Sequence, residues 1–307
     1  MKSRRVLALP TLSTAAAAVA LLATSALAAP PPEIQARLKQ MPFRVQTEHY
    51  VLLADVKAVR LDRYADALEK MYHEYETGFA QLLQQKKFSS SERFPVAFFA
   101  VKSDYDRFGD QYLGGQTESS IGMFLPRADM LIIHDQGSCS ETCGVVFHEA
   151  FHQFMHRYIP NAPTWLDEGL ATYYGYARLT DGGLSFSKPP RDRWELVRRA
   201  IAQRKFIPLW DLVSFSQADF YRLDPVQLAG YSGVDRMGLC YAEAYTLIHL
   251  LLSDPGGRDR LQAYIADLAA ANGKNYDAVT RNYFGPDTCD YLTPHWIRHV
   301  NSRPEQR

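Results

Sequence analysis

Cysteine is scarce in this chain, with four residues in 307. Cys139 and Cys143 form a Cys-x-x-x-Cys spacing without clear partner ligands, which argues against a second metal site. An excess of positive charge is absent too: 34 Lys and Arg stand against 34 Asp and Glu. That balance carries no electrostatic footprint for nucleic acid. Beyond the first thirty residues no run is long and apolar enough to span a membrane; Leu247 to Leu252 is a short core segment. Internal repeats and low-complexity tracts are also missing outside the N-terminus.

The N-terminus has the grammar of an export leader. Lys2, Arg4 and Arg5 precede an Ala- and Leu-rich stretch from Leu7 to Leu22, and Ala26-Leu27-Ala28 offers an A-x-A cleavage site. Its removal leaves 31 basic against 34 acidic residues. The expectation is a periplasmic or secreted protein with no membrane span after cleavage. An oxidising compartment suits disulfides. Cys139 and Cys143 are expected to close a tight loop, which leaves Cys240 to pair with Cys289.

What is present is concentrated in one segment. Residues 145–154 read Val-Val-Phe-His-Glu-Ala-Phe-His-Gln-Phe, an H-E-x-x-H pattern in uncharged surroundings with no proline. Residues four apart share one face of a helix, so His148 and His152 can both address one Zn²⁺ ion. Glu149 is placed beside them to act as general base on a water. The longer signature H-E-x-x-H-x-x-G-x-x-H is not completed, because Met155 and Tyr158 occupy its Gly and final His positions. His156 cannot substitute: two helical turns, roughly 11 Å, separate it from His148, beyond the reach of ~2 Å metal bonds.

Residues 163–174 offer a better third ligand in a second helix, with Thr164 as N-cap and Asp167 three residues later. Glu168 lies within its apolar stretch and needs a charged partner if buried. Gly169 and Ala171 would let this helix approach the first.

His148-Glu149-Ala150-Phe151-His152 followed by Trp165-Leu166-Asp167-Glu168-Gly169 resembles the gluzincin zinc metallopeptidases. The second motif is similar to that of the aminopeptidase N group and closer to the peptidase MA-like group of exported bacterial proteins. The resemblance implies a zincin-like fold and one zinc per chain held by His148, His152 and Glu168. It also implies Glu149 as base and a tyrosine on a later helix as oxyanion donor. Tyr241 is the first choice for that donor, with Tyr245 and Tyr231 as alternatives. Thr172 would support a ligand from one turn beyond Glu168. Gly122 to Pro126 lacks the acid with which aminopeptidase N relatives hold a free amine, which favours an endopeptidase.

Periodicity predicts strands at 44–54, 94–101, 121–125 and 130–134, and helices at 58–83 and 104–112. Further helices are expected at 191–204, 237–253, 258–272, 276–284 and 293–301, with a loop marked by Gly182-Gly183 and Lys188-Pro189-Pro190. The expected class is α+β. A signal peptide (1–28) and a linker (29–42) precede an α+β subdomain (43–163) ending in the His-bearing helix, and a helical subdomain (164–303) follows. A cleft at their junction would take a peptide or protein substrate, paired with the free edge of the strand pair before the helix. Oligomeric state is not legible. Two other functions share these features: an inactive zinc-containing module that binds an envelope component, and a zinc hydrolase of a non-peptide amide or ester.

Overall fold

The computed structural model describes residues 32–80, 82, 92–113, 120–186 and 190–302. The leader expected over residues 1–28 lies outside them. The expected linker contains a helix, α1 (Pro32–Lys39), because Ile34, Leu38 and Met41 find an apolar surface to cover.

That surface belongs to a mixed five-stranded sheet. The run 44–54 folds as two antiparallel strands, β1 (Phe43–Gln46) and β2 (Tyr50–Ala54). The chain reverses where Thr47 Oγ1 accepts the Tyr50 N–H at 3.2 Å. The inward positions shift from odd in β1 (Phe43, Val45) to even in β2 (Tyr50, Leu52, Ala54) through this turn. Next come α2 (Leu61–Gly78), β3 (Phe94–Phe99), α3 (Lys102–Leu113), β4 (Gly122–Leu125), a 3-10 turn at Pro126–Ala128, and β5 (Met130–His134). The spatial order is β1-β2-β3-β5-β4, with β2, β3 and β5 parallel and β4 antiparallel at the edge.

Side chains alternate across a sheet, and here each face builds its own core. Tyr50, Leu52, Phe94, Val96, Phe98, Leu131, Ile133 and Phe124 face α2 and the main core. Ala97, Phe99, Met123, Leu125, Met130 and Ile132 face Tyr105 and Phe108 of α3 and the buried residues of α1.

The chain then becomes mainly helical: α4 (Cys139–Tyr158), α5 (Thr164–Gly175), the hairpin β6 (Arg178–Thr180) and β7 (Gly183–Ser185), α6 (Arg191–Ala202), α7 (Leu209–Ser214), α8 (Gln217–Phe220), α9 (Arg236–Ser253), α10 (Pro255–Ala271), α11 (Tyr276–Phe284) and α12 (Pro286–Asn301). The hairpin, α7 and α8 are too short for a periodic signal. α12 begins seven residues earlier than its pattern suggests, since Pro286 at the first turn forfeits no hydrogen bond. Among the described residues no helix is long and apolar enough to cross a membrane.

Two devices fix α4 against its neighbours. Arg157, buried, donates through Nε to Asp129 Oδ2 at 2.8 Å and through Nη2 to the Arg93 carbonyl at 3.0 Å, over the Phe94 ring. Gln153 reaches the carbonyls of Pro95 and Asp129. These bonds tie α4 to β3 and to the β4–β5 turn. On another side, Phe151 stacks on Tyr174 at 5.1 Å, and Tyr75 packs on Phe154 and Tyr174 at 4.7 and 5.0 Å, which joins α2, α4 and α5.

Three expectations are corrected. Cys139 and Cys143 form a disulfide, but Cys240 and Cys289 are free and buried. Elimination could not see that packing turns the Cys289 thiol to the Phe284 carbonyl at 3.1 Å; burial pushes both thiols up to about 12. Thr164 is the first residue of α5 and Pro163 its N-cap, so no side chain caps this end. Gly169 does not face α4. A Cβ there would lie 2.8 Å from Ile248 Cγ1 and 3.0 Å from the Ala244 carbonyl oxygen, both on α9. The close approach of α4 to α5 runs instead through Gly144 and Gly175, where each would crowd the other's carbonyl.

Gly169→Ala therefore tests the α5–α9 contact. Overpacking costs about 1–3 kcal/mol, while alanine's helix propensity returns about 1 kcal/mol. Urea unfolding should show net destabilisation; an unchanged midpoint would mean the helices separate freely.

Candidate metal centre

Consecutive turns of α4 place His148 and His152 on one face, and α5 crosses them where Glu168 points inward. The Nε2 atoms of the two histidines lie 3.1 Å apart. Glu168 Oε2 lies 3.4 Å from His148 Nε2 and 3.5 Å from His152 Nε2. Ligands with bonds of about 2.0–2.2 Å in a tetrahedral shell sit roughly 3.3–3.6 Å from one another. The three donors thus converge at the spacing one small cation demands, and they can hold a metal ion. Glu168 Oε2 is buried without a hydrogen-bond partner, which an ion would supply.

The surroundings orient each ligand. Glu168 is 2% exposed and His152 8%. Tyr221 Oη donates to Glu168 Oε1 at 2.5 Å, so one carboxylate oxygen is held by a phenol and the other is left toward the imidazoles. Asp167 Oδ1 lies 3.0 Å from His152 Nδ1. A carboxylate behind a ligating imidazole fixes its ring and raises its basicity. Burial disfavours charge on His152, but Asp167 and Glu168 outweigh it and hold the imidazole above its ordinary value. Glu168 is the counterpart: burial opposes its charge, and the two histidines hold it well below the carboxylate range.

Glu149 is 4% exposed and turned toward the sheet. Its Oε2 accepts the Phe124 N–H of β4 at 2.8 Å. His134 donates to the Ile121 carbonyl, so alternation along the antiparallel ladder points the Gly122 and Phe124 backbone groups away from β5. The carboxylate is therefore anchored on the outer side of the edge strand β4. Gly122 lets helix and edge meet: a Cβ there would lie 2.4 Å from Val145 Cγ1 and 3.5 Å from Glu149 Cγ.

The structure sorts the remaining expected residues. Tyr241 is buried beside Tyr221, ring centroids 6.4 Å apart, and its Oη has no hydrogen-bond partner. Burial and then the Glu168 charge push its phenol well above the ordinary value, which keeps it a proton donor. Tyr245 packs among Tyr176, Trp194 and His249, and Tyr231 Oη reaches the Asp192 carbonyl. Thr172 Oγ1 makes no hydrogen bond, and Asp167 holds the place beside a ligand that Thr172 was expected to fill. His156 packs against Phe124, apart from the donors. Sequence reasoning missed Tyr221, which sits just past the short α8 with no motif to mark it. Asp167 adjoins a ligand but was read as a cap.

No protein-family model matches this chain, and no curated protein matches it.

Two outcomes follow. The purified protein should bind about one metal ion per chain by elemental analysis, and chelation should lower its melting temperature, since ligands drawn from two helices couple binding to folding. Identical melting with and without the ion would contradict the site. Tyr221→Phe should weaken metal affinity roughly 10- to 100-fold by freeing Glu168 Oε1, as a competing chelator would show.

Proposed function

We propose that this protein is an exported zinc-dependent peptidase of the gluzincin kind, one that cuts within chains. The observation that carries the reading is the tetrahedral spacing of His148, His152 and Glu168 beside a glutamate anchored on the edge strand of the sheet. Two histidines and one carboxylate are a donor set suited to catalytic zinc. Zinc, when bound, supplies Lewis acidity toward a carbonyl oxygen and makes a water easier to deprotonate.

The chain's own residues supply the rest. Glu149 Oε2 is occupied by the Phe124 N–H, so Oε1 is the oxygen that takes a proton from water and passes it to the leaving amine. Tyr221 is committed to Glu168. Tyr241, with its hydroxyl unpartnered, is the phenol left to donate to the developing oxyanion. An extended peptide would pair with the β4 edge through the outward Gly122 groups and the Phe124 carbonyl. That edge bears no acid at Gly122 to Leu125 to hold a free amine, which supports internal cleavage. The leader sequence and the Cys139–Cys143 disulfide support action in an oxidising compartment outside the cytoplasm.

Three substitutions separate the roles. Glu149→Gln should keep the metal while cleavage of a mixed peptide library falls roughly 10²–10⁴-fold. Tyr241→Phe should keep the metal with a loss of about 10²–10³-fold. Glu168→Ala should lose both. If Glu149→Gln cleaves as fast as the parent, the hydrolytic reading is wrong.

A further inference from the structure

Arg193, near the start of α6, makes no ion pair among the described residues, and the nearest acid that acts on its charge is its neighbour Asp192. Arg198 and Arg199 of the same helix both reach Glu195, and buried Arg157 reaches Asp129. Arg193 is half-buried and makes a single hydrogen bond among the described residues, from Nε to Tyr176 Oη at 2.9 Å. Its guanidinium carbon lies 5.9 Å from the Tyr176 ring centroid and 5.7 Å from that of Tyr241. The rings hold the group in place, and both terminal nitrogens are left to donate.

Both tyrosines lead to the metal donors. Tyr176 follows Gly175, where a Cβ would lie 3.2 Å from His148 Cβ. Tyr241 packs beside Tyr221, which bonds Glu168. Arg193 thus connects to Glu168 through two rings, Tyr241 and then Tyr221. A guanidinium cannot shed its charge. Held between rings it loses hydration that no ion pair among the described residues replaces, and its planar fork matches the two oxygens of a carboxylate.

We propose that Arg193 is a specificity-determining residue that binds a carboxylate of the substrate, either an acidic side chain or the chain terminus. This inference rests on the hydrolase reading and adds a substrate class to it.

The test uses one peptide library in three matched forms: with acidic residues and free C-termini, with Asp and Glu replaced by Asn and Gln, and with amidated C-termini. Binding to zinc-loaded Glu149→Gln protein is read by equilibrium dialysis and mass spectrometry, and cleavage is read with the parent enzyme. Carboxylate-bearing peptides should bind roughly ten- to a hundredfold more tightly than one neutral counterpart. The form that loses binding identifies the carboxylate as side chain or terminus. Adding Arg193→Gln should level the preference, and Arg193→Lys should retain part of it. A melting curve confirms that each variant folds. A purely structural arginine would shift melting and leave the binding ratio unchanged, which overturns the proposal. So does a parent protein indifferent to the carboxylate. Cleavage without such preference sinks this inference alone. Preference without any cleavage by the parent sinks the hydrolase reading and leaves the carboxylate site.

Discussion

The carboxylate of Glu168 is buried between two imidazoles, and much of the molecule answers to that placement. An isolated charge in an apolar interior is costly enough that a protein either neutralises it or partners it. Here His148, His152 and the Tyr221 hydroxyl all turn toward it. Asp167 in turn sits behind His152. The cluster leaves one buried carboxylate oxygen with no hydrogen bond, directed to the point that three donors share. A cation at that point would resolve the imbalance.

Such a cluster works only if two helices and a strand edge keep their relative positions. The polar end of α4 is tied through Arg157 and Gln153 to β3 and to the turn before β5. The aromatic contacts of Tyr75, Phe151, Phe154 and Tyr174 lock α2, α4 and α5 together. Three glycines set closer distances: Gly144 and Gly175 between α4 and α5, and Gly169 between α5 and α9. α5 is therefore held from both sides, and Glu168 with it. The two tyrosines by the site differ in partnership: Tyr221 donates to the Glu168 carboxylate, and the buried Tyr241 hydroxyl makes no hydrogen bond among the described residues.

Legibility in the sequence follows the range of the interactions. His148 and His152 come together because helical spacing is local, and Glu168 could be singled out because a carboxylate in an apolar helix asks for a partner. The α+β class was readable from strand alternation and helical periodicity. Where a signal was borrowed from elimination or from a generic motif, it failed. Cys240 and Cys289 were paired only because two other cysteines had been used, and the structure leaves them apart as thiols. Thr164 looked like a cap, yet the helix begins on it and Asp167 serves a histidine instead.

By itself the sequence determined the candidate metal-donor set and the α+β class, since both depend on periods of a few residues that backbone geometry imposes. Only the tertiary structure decided which phenol holds Glu168 across a separation of 53 residues, which backbone N–H anchors Glu149, and which arginine lies against the Tyr241 ring. Those outcomes depend on how distant surfaces pack. Packing is a property of the whole core, and no local pattern encodes it.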